Sequence, residues 1–291
     1  MDILTNYTFQ IVALGSVLLA VAAAPVGAFS VYKGQSLIGD AIGHSTFPGI
    51  ILAYMAFATR SPVILLAGAI LAGAASYALI QLAHRDKRLG LDANLAIFLS
   101  GFFGLGMALK SFIQGNPDYA GASQAGLGTY IFGQAAYMLE ADVLLIAAIS
   151  ALVLTLLLLF YKELKLFVFD AEYAEVVGLP CRLLNLLLLV MTIAVISIGI
   201  KAVGAILISS FLIIPCVAAN QWSNNFARVL LLSSLIGAVS ALVGTYISTL
   251  EQGMSTGPSI ILVASLIAFF SIVFGTKGIL GSVLKRRRTH G

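Results

Sequence analysis

Charge is scarce in this chain. Asp, Glu, Lys and Arg make up 10% of its 291 residues, hydrophobic residues make up 60%, and the mean hydropathy is +1.05. No soluble domain has interior enough for that much apolar surface, so soluble enzymes are excluded at once, and a net charge of +4 is no nucleic-acid signal. Cysteine is nearly missing. Cys181 and Cys216 lie in or beside apolar runs and are expected to be buried, unpaired thiols. Of the 3 histidines, His84 and His290 sit in basic segments, which leaves His44 alone in an apolar one. There is no H-E-x-x-H, the pattern of a zinc-protease helix. Nor is there a G-x-x-x-x-G-K-[ST] phosphate loop, so the chain does not hydrolyse ATP by that route. The first apolar run lacks a basic start and is about spanning length, so no cleavable signal peptide is expected.

What the chain does have is nine apolar runs, at roughly 8–31, 36–57, 61–83, 93–113, 139–161, 182–200, 203–220, 227–250 and 257–275. Each approaches the ~20 residues that cross hydrocarbon as a helix, where every backbone polar group is satisfied internally. They predict an all-α polytopic membrane protein, a bundle of eight or nine transmembrane helices in one domain over 1–291. The lower count applies if 182–220 crosses fewer times. Basic residues favour the cytoplasmic side. With the tail at 277–291 and the segments 32–35, 84–92, 161–182 and 220–228 placed there, 13 of the 16 Lys and Arg are inside. This predicts a cytoplasmic C-terminus and, for nine crossings, an external N-terminus. Small residues recur at helix-contact spacing, Gly68, Ala72 and Ser76 in the third run and Ser233, Gly237 and Ala241 in the eighth, which predicts close helix packing there.

One run breaks the apolar rule. SLIGDAIGHSTFPGIILAYMAF at 36–57 carries Asp40 and His44, which a helix puts on one face, one turn apart. An ionisable group in a span costs about 2.5–3.5 kcal/mol on insertion scales, so a function is the default reading. Hard carboxylate oxygen with borderline imidazole nitrogen suits Mn²⁺, Fe²⁺ or Zn²⁺ better than Cu⁺. Pro48, one turn further, has no N–H, so the carbonyl of His44 loses its helix partner and is expected to line the same cavity. Gly39, Gly43 and Gly49 permit close backbone approach or local unwinding. An Asp–His hydrogen bond that only pins two helices fits the same pattern.

A second segment is too polar to span. In FDAEYAEVVGLP, Asp170 caps a short helix, Glu172 lies in its first turn, and Gly178 and Pro180 end it. Such a helix between two spans is either a docking knob for a soluble partner or a plain interfacial helix.

Together these stretches resemble the membrane permease subunit of the divalent-metal ABC importers, the manganese/zinc/iron class. SLIGDAIGHSTFPGI at 36–50, FDAEYAEVVGLP at 169–180, VGAILISSFLIIP at 203–215 and STGPSIILVAS at 255–265 carry the resemblance, in order along nearly the whole chain. AGLGTYIFGQAAYMLEADV at 125–143 is similar to members that handle manganese or zinc. The resemblance implies an ABC importer permease fold with Asp40 and His44 as metal residues and Gly39, Gly43 and Pro48 beside the pathway. It implies an ATPase-coupling helix at about 169–179 bearing Asp170, Glu172, Glu175 and Gly178. It further implies two copies of an ABC ATPase, an extracellular metal-binding lipoprotein, and a second permease copy or close paralogue in a prokaryotic cell membrane. No cofactor is permanently bound; the metal ion is cargo, and ATP is hydrolysed by a partner chain. Lys201 departs from the pattern and is read as snorkelling to the interface. Two other readings stand: a secondary metal transporter driven by an ion gradient, and an intramembrane enzyme using His44 as a base. The first lacks a matching broken helix in the second half; the second lacks a nucleophile.

Overall fold

The computed structural model describes residues 6–59, 61–84, 90–116, 119, 138–250 and 254–279. Within them the chain is helical throughout: α1 (Tyr7–Tyr32), α2 (Ile38–Phe57), α3 (Pro62–Ala83), α4 (Leu91–Gly115), α5 (Glu140–Leu159), α6 (Tyr161–Phe169), α7 (Ala171–Val176), α8 (Cys181–Val203), α9 (Ala205–Asn220), α10 (Phe226–Leu250) and α11 (Thr256–Phe274). Every apolar run becomes a helix. The runs at 182–200 and 203–220 stay two helices, because Gly204 at φ 90° and ψ 159° breaks the chain between α8 and α9. Expectations for Lys201 and most of 125–143, and for Arg60, the basic loop at 85–89 and the tail beyond 279, lie outside the described residues or side chains.

The ends follow local chemistry. Asn6 accepts from the amide of Thr8 at 2.9 Å to start α1. Pro62 opens α3, where its missing N–H costs nothing. The first turn of α5 holds Asp142, whose Oδ2 accepts from the amide of Leu139 at 3.0 Å.

Among the described residues seven helices are long and apolar enough to cross a membrane: α1, α3, α4, α5, α8, α10 and α11. The remaining two long helices differ in kind. α2 has the length but carries Asp40, His44, Ser45 and Thr46, and α9 has only 16 residues. Both lie inside. No residue from Ile38 to Ile51 of α2 or from Ile208 to Asn220 of α9 is exposed, and the neighbours of α9 are α1, α2, α8, α10 and α11. A helix that meets protein on all sides need not be apolar enough, or long enough, for lipid. The outer helices are the reverse: Leu71, Leu144, Leu158, Leu231 and Phe269 stand exposed, as a lipid-facing surface requires.

Small residues set the contacts. Gly49 of α2 faces Gly68 of α3 so closely that a Cβ on Gly49 would come within 2.2 Å of the Gly68 carbonyl oxygen. One turn along, the hydroxyls of Ser45 and Ser76 meet at 2.7 Å. The predicted Gly68, Ala72, Ser76 face is thus the face that receives α2. On the other side Gly237 of α10 packs on Ala20 of α1, and Ser234 donates to the carbonyl of Val21 at 3.1 Å. Gly49→Leu is expected to lower the thermal midpoint of the detergent-solubilised protein, since overpacking costs about 1–3 kcal/mol. Gly101→Leu, where a Cβ meets nothing within 4 Å, should leave it unchanged.

Candidate functional site

Asp40 stands in the first turn of α2, at the end of the bundle where α1 finishes. α2 runs as one unbroken helix through Gly39, Gly43 and Pro48, so the local unwinding allowed by these glycines does not occur. Gly39 is used for close approach instead: a Cβ there would lie 2.7 Å from Leu212 Cδ1 on α9. Pro48 faces α4, where a Cβ on Gly106 would lie 3.2 Å from its Cδ.

His44 Nε2 and Asp40 Oδ1 are 3.5 Å apart, with the His44 side chain 12% and the Asp40 side chain 32% exposed. The imidazole is held from α4 by the Phe103 ring, edge to face at 4.9 Å. Its Nδ1 is buried with no hydrogen-bond partner among the described residues. From α9, the hydroxyl of Ser209 donates to Asp40 Oδ1 at 3.0 Å. Three helices therefore converge on the pair, and the carboxylate oxygen nearest the imidazole is the one that α9 steadies. Among the described residues no third His, Cys, Asp or Glu joins them as a metal-sized cluster. The arrangement offers one oxygen and one nitrogen donor from adjacent turns, oriented by a hydroxyl.

Sequence reasoning brought Asp40 and His44 together but missed Ser209 and Phe103. The signal for Ser209 was thin. The stretch VGAILISSFLIIP offers two serines, and only the packing of α9 on Gly39 selects Ser209 over Ser210.

The short helix forms as expected, with tighter bounds. α7 is capped by Asp170, whose Oδ1 accepts from the amide of Tyr173 at 2.9 Å. Gly178 at φ +88° closes it: the amide of Gly178 reaches the carbonyl of Glu175 and that of Leu179 reaches Ala174, both at 3.0 Å. Ala174 is buried beneath, while Glu172, Tyr173, Glu175, Val176 and Val177 are exposed.

With this geometry in view, comparison with known proteins gives a single answer. The model of the ABC 3 transport family matches residues 5–275. The chain belongs to that family. It is 39% identical over 289 residues to the zinc transport system membrane protein TroC of Treponema pallidum, covering 99% of this chain and 96% of that one. It is 39% identical over 285 residues to the manganese transport system membrane protein MntC of Bacillus subtilis, covering 96% of this chain and 65% of that longer relative. Its fold resembles a chain of PsaBC from Streptococcus pneumoniae in complex with Fab, with a TM-score of 0.82, 26% identity and 94% of each chain covered. The ABC 3 family is one of membrane permeases, so this member is an integral membrane transport protein and not itself an enzyme.

Just beyond α1, Lys33 Nζ donates to Asn185 Oδ1 of α8 and sits 4.9 Å above the Phe167 ring. Burial pushes its pKa down from 10.5 to about 8. Between those values the unfolded chain binds one more proton than the folded one, so Lys33 makes stability rise with pH from about 8 upward. Thermal unfolding in detergent should show a steeper rise between pH 8 and 10 than it does in Lys33→Met.

Proposed function

We propose that this chain is the permease subunit of an ABC importer for a divalent transition metal ion, with Mn²⁺ or Zn²⁺ favoured and Fe²⁺ the further candidate. The observation that carries the reading is the 3.5 Å separation of Asp40 Oδ1 and His44 Nε2 on an interior helix. Two donors at about 2.1 Å from one ion lie no more than about 4.2 Å apart, so an ion fits between them with little movement. The zinc and manganese names of its relatives supply the choice of cargo.

In this reading the ion exchanges part of its water shell for Asp40 and His44. Ser209 keeps the carboxylate turned toward the imidazole, as outer-shell hydroxyls do for metal ligands. Two side chains make a weak site, and weakness serves release. A metal-binding lipoprotein delivers the ion from outside. A second permease copy or a close paralogue completes the pathway. Two ABC ATPase subunits dock on α7 through Glu172, Glu175 and the turn at Gly178, and their ATP cycle drives the pathway between outward and inward access. The protein sits in a prokaryotic cell membrane with its C-terminus in the cytoplasm.

Uptake by the reconstituted complex tests the site. Asp40→Ala and His44→Ala should each abolish metal uptake while the protein still inserts. Ser209→Ala should raise the half-saturating metal concentration about 10-fold or more, the usual loss for an outer-shell partner. A second reading, that Asp40 merely pins α2 to α9, draws on the Ser209 hydrogen bond. Asp40→Asn separates the two, since an amide oxygen still accepts from Ser209 but carries no charge for the ion. Loss of uptake supports the metal role, and full uptake supports the pin.

Docking is tested by copurification: Glu172→Ala combined with Gly178→Leu should shed the ATPase. Reporter fusions at His84 and at Glu175 should both give a cytoplasmic signal, and an external signal from either would reverse the assigned topology.

A further inference from the structure

We infer that Phe169 and Tyr32 form the contact through which movement of α7 reaches Asp40, which makes Phe169 a positioning residue for coupled transport. The inference rests on the functional reading above and names how the docking helix and the metal pair communicate.

The path begins at a joint. α6 and α7 are separated by one residue, Asp170, at φ −151° and ψ 84°, so α7 can re-angle without either helix unwinding. Phe169 is the side chain just before that joint. Its ring meets Tyr32 at 5.3 Å and Phe226 at 5.1 Å. Phe226 is buried at the start of α10 and also takes the Tyr32 ring at 5.0 Å and the Phe29 ring at 4.9 Å, both edge to face. Two residues earlier, Phe167 lies under the ammonium of Lys33. The last turn of α6 therefore holds two successive residues at the end of α1.

From there the connection to the metal pair has little slack. Gly34 at φ +74° closes α1, with the amide of Gln35 bonded to the carbonyl of Ser30 at 2.9 Å and that of Gly34 to Val31 at 3.0 Å. The amide of Ile38 then bonds Gln35 at 3.1 Å and that of Ala41 bonds Leu37 at 3.0 Å. A displacement of Tyr32 is thus passed through a hydrogen-bonded turn into the first turn of α2, where Asp40 stands. A second branch leaves the same residue. The Tyr32 hydroxyl donates to Asn220 Oδ1 at 2.9 Å, and Asn220 is the last residue of α9, the helix that carries Ser209. Tyr32 is attached to both helices that hold the Asp40 carboxylate, so a push on α7 acts on both walls of the site at once. Coupling of this kind needs an element whose balance both sites bias. The helix ends gathered on Tyr32 supply it.

The test uses the permease assembled with its ATPase in liposomes, with Mn²⁺ as the probe ion. Phe169→Ala is compared with Phe169→Tyr and with Phe270→Ala, whose ring stacks on Phe274 at 4.7 Å outside this contact set. Phe169→Ala is expected to keep the ATPase bound and ATP hydrolysis within twofold of normal. Its maximal uptake should fall at least fivefold with the half-saturating Mn²⁺ concentration unchanged. Phe169→Tyr should restore uptake, and Phe270→Ala should behave as the parent. A cargo-independent readout runs alongside: spin labels on cysteines placed at Leu37, just before α2, and Asn224, in the loop between α9 and α10, report their separation with and without ADP–vanadate. The separation should change in the parent complex and stay fixed in Phe169→Ala.

The relay is overturned if that change persists in Phe169→Ala or is absent from the parent. It is equally overturned if Phe169→Ala sheds the ATPase, which would make Phe169 a docking contact, or if Phe169→Tyr fails to rescue. A parent complex that moves its labels but takes up no Mn²⁺ retains the relay and refutes manganese as the cargo.

Discussion

A carboxylate set among packed helices needs polar partners, because an unpaired charge in such surroundings is costly. Asp40 is given two, the His44 imidazole from its own helix and the Ser209 hydroxyl from α9. Much of the bundle's arrangement serves that requirement. To bring Ser209 within reach, α2 and α9 must cross closely, which is why position 39 is glycine and Leu212 lies against it. To keep the carboxylate away from lipid, both helices must be walled in. The wall is built from helices apolar enough to face hydrocarbon on their outer sides and dotted with small residues on their inner ones.

The wall and the interior follow different physics. Outside, association of α10 with α1 and of α3 with α2 has no hydrophobic driving force, since lipid tails are as apolar as leucine. Close packing at Gly49 and Gly68 and at Gly237 and Ala20 takes its place. Inside, several polar side chains are tolerated because they meet one another: Ser45 meets Ser76, Tyr77 accepts from Asn185 and Gln81, and Lys33 reaches Asn185. These contacts concentrate at the end of the bundle where α1 finishes and α7 projects. Polar groups thus lie between α7 and the Asp40–His44 pair, and apolar helices lie around them.

Much of this was legible in the chain. The nine runs, the Asp40 and His44 pair, and the Asp170 cap and Gly178 stop of the short helix each rest on spacing within about ten residues, which local chemistry decides. The small-residue faces were legible too, though not their partners. Two things were not. That α2 and α9 are interior could be suspected from polarity and length, but either feature alone also fits a short span. Ser209 and Phe103 were invisible because their roles depend on which helix faces lie opposite α2.

By itself, then, the sequence determined which segments are helical, the cap and stop of the short helix, and that one carboxylate and one imidazole share a face. All of these are contacts within a turn or two, set by side-chain chemistry and backbone geometry. Only the tertiary structure decided that Ser209 steadies Asp40 across 169 residues of chain and that Tyr32 gathers the ends of α6, α9 and α10. The physical reason is that lipid-embedded helices carry strong instructions about being helices and weak ones about which neighbour to choose. That choice is made by the fit of whole surfaces, glycine against glycine and hydroxyl against carboxylate, once all of them are present.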